Sequence, residues 1–172
     1  TFRGHYREQV ERSQLVLKLL TYKPTGAIIA SPAFSLPESI GNSRSWDCRY
    51  SWIRDITFTL YVFLENGYSE ESESHMRFIY DRVILSISCK VAEAGKEKLM
   101  PVVFTIRGEN EIPESELNHL DGYRGSRPVR IGNGATSHTQ LDTFGALLDS
   151  IYLYLGLLGP SCTTDRSKLA GS

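Results

Sequence analysis

The chain has 172 residues, of which 41% are hydrophobic, and its formal net charge at pH 7 is −1. This length and apolar content predict one globular domain with a buried core and exclude a disordered chain. The charge argues against nucleic acid or an anionic membrane as the main partner, because both usually require a basic excess.

Four segments have the spacing of apolar residues that predicts α-helices. The first covers about residues 5–22 and is apolar on nearly all sides of its second half, which we expect to be buried. The second covers residues 56–67 and ends on Asn-Gly, a good helix stop. The third runs over residues 69–91 and the fourth over about residues 137–158.

Two short apolar runs between the helices, residues 27–30 and 99–106, predict strands within long connecting loops. The second and third helices are joined by a very short turn and are therefore expected to be antiparallel. If the helices alternate in direction, the second and fourth begin at the same end. The loops before them would then share one rim, which is the usual form of a pocket.

The loop before the second helix, Ser45–Asp55, reads SWDCRYSWIRD and combines two Trp, one Tyr, two Arg and two Asp. Aromatic faces pack against the C–H faces of a sugar ring, and carboxylate and guanidinium groups bind its hydroxyls. This mixture predicts a sugar pocket. The competing interpretation is that Arg54 and Asp55 form a surface ion pair or that Asp55 caps the helix that follows, since Asp is favoured at helix N-termini. Arg49 is expected to form a structural ion pair.

The loop before the fourth helix, His119–Gly134, is rich in Gly and Arg. Its side chains with ligand-binding potential are Tyr123, Arg124, Arg127, Arg130 and Asn133. The alternative is that its arginines bind backbone carbonyls and order the loop. A phosphate cradle is a further possibility for such a loop, but the Gly-Lys-Ser/Thr signature of a P-loop is missing.

Nothing in the chain calls for a metal or another cofactor. His119 and His138 have no companions at ligand spacing, and the three cysteines are too widely spaced for a disulfide framework: Cys48, Cys89 and Cys162. Cys48 is interpreted as a small packing residue. Four carboxylates near the second loop are expected to be exposed and not to form a catalytic pair: Glu111, Glu114, Glu116 and Asp121.

Four motifs in order resemble the glucoamylase-like glycoside hydrolases of family fifteen, in the branch of bacterial glucoamylases and trehalases. They are LVLKLLTYKPTGAIIASP from Leu15, SLPESIG from Ser35, WDCRYSWIRD from Trp46 and GYRGSRPVRIGN from Gly122. The resemblance covers about residues 4–155. It implies an O-glycoside hydrolase that cleaves α-glucosidic bonds with inversion, on an (α/α)6 barrel of which this chain holds about two helix hairpins of six.

The same resemblance implies which residues bind substrate. Trp52, Arg54 and Asp55 match the positions that bind glucose, and Arg127 and Arg130 match a loop at the pocket rim. Trp46 and Tyr123 complete the candidate set. The general acid and base of the family are expected beyond Ser172, so no catalytic residue is assigned and this span alone is expected to be inactive. Cys48 stands where the family usually has an aromatic residue, which leaves the substrate open.

We therefore expect an all-α fold with two short strands, a partial catalytic domain over residues 1–158 and an unrelated tail over residues 159–172. The expected partner is an α-glucoside, either a starch-like oligosaccharide or trehalose, with self-association through exposed apolar helices. The chain has no membrane span or apolar signal region, which favours a cytoplasmic location unless a targeting segment precedes Thr1. Two alternatives stay open: a non-catalytic sugar-binding pseudoenzyme and a helical interaction module without a ligand.

Overall fold

A computed structural model describes residues 4–84 and 100–158. Its helices are α1 (Arg7–Leu19), α2 (Ile53–Glu65), α3 (Ser69–Ile79) and α4 (Asp142–Leu158). Its strands are β1 (Thr21–Tyr22), β2 (Ala27–Ile28), β3 (Phe34–Pro37), β4 (Ser45–Asp47), β5 (Ser51–Trp52), β6 (Val103–Phe104), β7 (Ser115–Glu116) and β8 (Arg130–Ile131). These strands pair in sequence order into four antiparallel two-stranded sheets.

The expected all-α fold with two strands underestimates the strand content, because the described residues contain eight strands. The predicted strand at residues 27–30 corresponds to β2, and the predicted run at 99–106 contains β6. The six strands that were not predicted are two to four residues long, too short for an alternating pattern to show. The helices still form the main framework, and the short sheets tie down the long loops between them.

The first residues of α2 and α4, the helices next to the predicted pocket, differ from the prediction. Helix α2 begins at Ile53 and not after Asp55, so Asp55 lies in its first turn. Trp52 occupies the N-cap position with an extended backbone and no side-chain cap. The interpretation of Asp55 as a helix cap is therefore wrong. Helix α4 begins at Asp142, because the preceding residues Gly134–Ser137 form a separate 3₁₀ turn.

Helix α3 ends earlier than predicted. It stops at Ile79, where a π-helical turn, Tyr80–Ile84, follows, and the rest of the predicted helix lies outside the described residues. Residues at the start of α2 and at the end of α3 share one core, which makes these two helices antiparallel, as the short turn between them predicts. That core consists of Ala27, Ile53, Ile56, Phe78, Ile79, Met100, Phe104 and Leu147.

Helices α2 and α4 lie side by side and run in the same direction. Thr57 Oγ1 of α2 donates a hydrogen bond to the Ala146 carbonyl of α4 at 2.8 Å. The same hydroxyl lies 2.7 Å from Ser150 Oγ, one turn further along α4. This polar seam is buried, so it fixes the register of the two helices against each other.

The expectation that the second half of α1 is buried is wrong. Leu15 and Leu19 are 67% and 79% exposed, whereas the buried residue of this helix is Gln14. Its amide is satisfied on both sides, since Nε2 donates to Asn66 Oδ1 at 2.7 Å and Oε1 accepts from the Tyr68 hydroxyl at 3.0 Å. A polar contact to the end of α2 therefore orients α1. Leu15, Val16 and Leu19 face outward, whereas Leu17 lines a cleft against α2 and β2.

Other helices also present apolar side chains to solvent. Phe58 on α2 is 74% exposed, and on α4 Leu148 and Tyr152 are 68% and 75% exposed. This confirms the expected exposure of apolar helix surface, while self-association stays a prediction. Among the described helices, none combines the length and apolar character that crossing a bilayer requires.

Candidate functional site

Two adjacent polar residues, Arg54 and Asp55, lie at the start of α2. Strand β5 leads into this helix, and the Ile53 N–H donates to the Val102 carbonyl at 3.1 Å. Ile53 and Ile56 are both buried in the core. The two residues between them are therefore on the outer side of the first turn, where their side chains are 47% and 49% exposed.

The Asp55 carboxylate is available to a ligand. It has no hydrogen-bond donor among the described residues, and it borders a cleft of about 100 Å³ between α1, β2 and α2. Partial burial raises its pKa, although Arg54, whose Nε lies 3.9 Å from Asp55 Oδ1, acts in the opposite direction. A carboxylate without a donor from the protein can accept hydrogen bonds from the hydroxyl groups of a ligand. Apolar residues that line the cleft lie beside it.

The Arg54 guanidinium reaches across to the start of α4. Its Nη1 donates to Asp142 Oδ2 at 3.0 Å and to Gln140 Oε1 at 3.4 Å. These contacts confirm the prediction that the second and fourth helices begin at the same end. Because α2 and α4 start side by side, the loops that precede them meet at this end of the helices.

A buried carboxylate, Asp47, joins these two loops, and sequence reasoning did not single it out. It accepts hydrogen bonds from Arg49 Nε and Nη2, both at 2.9 Å, and from the Gly132 N–H at 3.2 Å. The Asn133 side chain donates to the Asp47 carbonyl at 3.0 Å. The ion pair confirms the structural role expected of Arg49. Ser45 and Asp47 are buried and Trp46 faces outward along β4. The sequence carries no signal for this, because an alternating polar, apolar, polar order predicts the Trp inside.

Charge and hydrogen bonds decide the ionisation of Asp47. Burial by itself would raise the pKa of its carboxyl, but the hydrogen bonds from Arg49 and Gly132 outweigh burial and hold the pKa below its ordinary value. The group is therefore ionised at neutral pH. The neighbouring Cys48 thiol has a raised pKa, first because of burial and then because of the charges of Asp47 and Asp55, so it stays protonated.

Trp46 and Arg130 form a second pair of candidate residues. The Arg130 guanidinium lies 5.0 Å from the centre of the indole, in a cation–π contact. It also donates to the Ser43 carbonyl at 2.7 Å and pairs with Glu114 and Glu116 at 3.4 and 3.3 Å. Arg130 is thus mostly occupied by the protein, whereas Trp46 remains 39% exposed.

Tyr123 and Arg127 lie on an exposed turn that packs against the β3–β4 hairpin. The turn is tied to this hairpin by Ser126 Oγ, which accepts a hydrogen bond from the Gly41 N–H at 2.9 Å. Arg127 pairs with Asp121, and Tyr123 is 50% exposed.

Trp52 is half-buried and packs against a small second core that includes Val102, Val103, Ile112 and Ala135. The candidates therefore fall into three neighbourhoods, centred on α2, on β4 and on this turn.

The four carboxylates near the second loop, Glu111, Glu114, Glu116 and Asp121, are exposed as predicted. Two of them neutralise Arg130, and Glu114 Oε2 also accepts from the Gly134 N–H at 3.2 Å. Within residues 4–84 and 100–158, no group of three or more His, Cys, Asp or Glu side chains is placed to hold a metal ion. Cys89 and Cys162 lie outside the described residues.

Comparison with known proteins identifies sequence relatives along nearly the whole chain. The family model described as glycosyl hydrolases family 15 matches residues 4–169, which extends past the predicted boundary at residue 158. A trehalase of Mycolicibacterium smegmatis is 45% identical over 149 residues, covering 87% of this chain and 21% of that protein. A trehalase of Thermoplasma acidophilum is 40% identical over 152 residues, covering 88% of this chain and 24% of that protein. No solved structure matches the chain.

Proposed function

Because the chain belongs to the glycosyl hydrolases of family 15, we propose that it is part of an inverting α-glucoside hydrolase and carries part of its glucose-binding subsite. The chain spans about a fifth of the length of the curated relatives that it matches. These relatives are named trehalases, which favours trehalose over a starch-like glucan as the substrate. The proposed domain is a part of an (α/α)6 barrel, and the family match over residues 4–169 extends it beyond the boundary expected at residue 158.

The observation that carries this proposal is the pair of polar groups at the start of α2. Asp55 offers two carboxylate oxygens without a donor among the described residues, and Arg54 offers donors beside it at 3.9 Å. Together they can accept from one sugar hydroxyl and donate to another, which fixes both the position and the orientation of a glucose ring.

The aromatic candidates supply the apolar part of the same recognition. Trp46 presents an indole held from one side by Arg130, so its exposed surface is suited to stacking on a sugar ring. Trp52 packs at the base of α2 and supports the first turn. We assign Tyr123, Arg127 and Arg130 to the rim of the pocket, with Arg130 acting through the orientation of Trp46.

Hydrolysis needs a second element, because inversion requires a general acid and a general base on opposite sides of the glycosidic bond. The exposed glutamates Glu114 and Glu116 are neutralised by Arg130 and do not suit either role. We propose that this span binds sugar and does not supply the acid–base pair. Purified chain should therefore not hydrolyse trehalose or maltose.

The proposal is tested by titrating trehalose and maltose into the purified chain while recording amide NMR shifts, with galactose as the comparison sugar. The expected dissociation constant is on the order of millimolar, with shifts at the start of α2. Asp55→Asn should weaken trehalose binding by about tenfold or more, because a sugar hydroxyl loses a charged acceptor. Asp149→Asn is the matched control, since Asp149 is an exposed carboxylate on a different helix, α4.

The outcomes separate the proposal from its alternatives. Equal binding of trehalose by the wild type and Asp55→Asn would show that this carboxylate is not part of a sugar subsite. Absence of any sugar response would favour a helical interaction module, for which the exposed apolar helix faces are the supporting observation. Turnover of trehalose that disappears in Glu114→Gln would show that the acid–base pair lies within this span.

A further inference from the structure

We infer that Asp142 and Gln140, at the start of α4, are positioning residues that hold the Arg54 guanidinium in one orientation. The role assigned to Arg54 rests on the proposed function. The contacts that hold it are independent of any ligand. Asp142 and Gln140 lie outside the motif at the start of α2 and are separated from Arg54 by 88 and 86 positions.

The geometry divides the donors of Arg54 into two groups. Nη1 is committed to the protein, since it donates to Asp142 Oδ2 at 3.0 Å and to Gln140 Oε1 at 3.4 Å. Nε faces Asp55 Oδ1 at the longer distance of 3.9 Å, and Nη2 has no acceptor among the described residues. With one nitrogen anchored, the planar guanidinium presents its remaining N–H groups in a fixed direction beside the Asp55 carboxylate.

Asp142 can act as an anchor because α4 is itself fixed against α2. The Thr57 hydroxyl donates to the Ala146 carbonyl at 2.8 Å, one turn beyond Asp142. Thr143, the residue after Asp142, is buried, and its N–H donates to the Gln140 carbonyl at 3.3 Å. The two acceptors of Arg54 are thus presented by a packed helix and by the turn that enters it. Functional side chains are held most precisely by this kind of support.

The stability of the fold does not explain this arrangement. The side chains of Arg54 and Asp142 are 47% and 55% exposed, and solvent screens an ion pair of that kind so that it contributes little to folding. What the contacts do supply is orientation. A guanidinium that rotates freely would lose part of its affinity for a sugar hydroxyl, because the ligand would have to order it on binding.

The test follows the Arg54 side chain directly and sugar binding separately, on the full chain labelled with nitrogen-15. The Arg54 Nε–H resonance is assigned by its loss in Arg54→Lys. Asp142→Ala should shift this resonance, speed its exchange with water, and weaken trehalose binding about five- to tenfold. Asp142→Asn keeps an oxygen acceptor, so the shift of the resonance and the loss of trehalose affinity should be intermediate. Gln140→Ala should change both less than Asp142→Ala does. Asp149→Ala, on the same helix, should change neither.

The unfolding midpoint in urea should fall only slightly in the Asp142 variants, which lose a favourable charge in the first turn of α4, and stay unchanged in the others. A small change of this kind separates positioning from a structural role. An Arg54 resonance that is unchanged in Asp142→Ala and in Gln140→Ala would overturn the inference. So would a shifted resonance with wild-type affinity for trehalose. If the wild type binds no sugar but the Arg54 resonance responds to Asp142→Ala, the proposed function fails while the anchoring of Arg54 is supported. If Asp142→Ala does not fold, Asp142→Asn and Gln140→Ala decide the result.

Discussion

Asp47 and Gly132 are 85 positions apart in sequence, yet the Asp47 carboxylate accepts a hydrogen bond from the Gly132 N–H at 3.2 Å. The same carboxylate pairs with Arg49, and the Asp47 side chain is fully buried. This contact joins the β3–β4 hairpin to β8, the strand that carries Arg130. The relative position of Trp46 and Arg130 therefore depends on a buried carboxylate whose own partners are Arg49 and Gly132.

Replacing Asp47 with Asn should destabilise the protein substantially. The variant leaves Arg49 without its charged partner and weakens the bond to Gly132, so we expect the free energy of unfolding to fall by about 2–4 kcal/mol. Urea denaturation followed by circular dichroism measures this change. Asp121→Asn is the control, because Asp121 is 81% exposed beside Arg127 and its replacement should cost no more than about 0.5 kcal/mol. Equal effects of the two variants would contradict a structural role for the buried ion pair.

Stability should fall between about pH 6.5 and pH 4 because of His75. The side chain is fully buried, its Nδ1 lies 2.7 Å from the Gly26 carbonyl, and its Nε2 has no partner among the described residues. Burial lowers its pKa from 6.5 to about 4, although the contact with the Gly26 carbonyl acts in the opposite direction. Below pH 6.5 the unfolded chain therefore binds a proton that the folded chain does not.

The difference in proton binding by His75 between the unfolded and folded chains predicts a loss of about 3 kcal/mol of folding free energy as the pH falls from 6.5 to 4. Below pH 4, His75 should cause no further loss. Urea unfolding of the wild type and His75→Asn at several pH values measures it. Carboxyl groups contribute to both proteins, so their effects cancel in the difference between the two curves. Parallel curves over this range would show that His75 is not buried in its neutral form.

The helical framework could be predicted from the sequence because its helices have continuous apolar spacing. The orientation of α1 could not be, since its second half is apolar on almost every side and spacing alone does not show which side meets a neighbour. A polar residue, Gln14, decides that orientation through Asn66 and Tyr68. The short hairpins were missed for a related reason, because strands as brief as β7 and β8 are fixed by backbone pairing and not by side-chain pattern.

In the candidate site, too, some features could be predicted from the sequence and others could not. The composition of residues 45–55 predicted a sugar pocket, and the resemblance to the family selected Arg54 and Asp55 within it as candidate ligands. The partner of Arg54, Asp142, lies on another helix, and only the packing of α2 on α4 brings the two within 3.0 Å. Local sequence carries no signal for such a pair. Asp47 is a similar case, since the polar, apolar, polar order of β4 would place Trp46 inside, whereas the structure buries Asp47.

Gly26 should not tolerate a side chain. Its backbone has φ of +79°, and a Cβ built at this position would overlap the carbonyl of Ser74. We expect Gly26→Ala to cost at least about 3 kcal/mol, because helix α3 would have to move away from β2. Gly41→Ala is a matched control, since Gly41 has φ of +80° with no neighbouring atom within 4 Å. It should show only the cost of the left-handed conformation, about 1–2 kcal/mol. Similar losses in the two variants would contradict the close approach at Gly26.

The exposed face of α4 should cause self-association of the isolated chain. Leu148, Tyr152 and Leu155 are 68%, 75% and 55% exposed, and their spacing places them on one side of the helix. Contiguous apolar surface of this kind promotes association because its burial releases ordered water. Sedimentation velocity should show a mean mass that rises with concentration, and Leu148→Lys with Leu155→Lys should lower it toward the monomer. Leu36→Lys is the control, since Leu36 is similarly exposed, at 58%, on the β3–β4 hairpin. A wild type that is monomeric at every concentration, or a control as effective as the α4 variants, would contradict the assignment of association to this face.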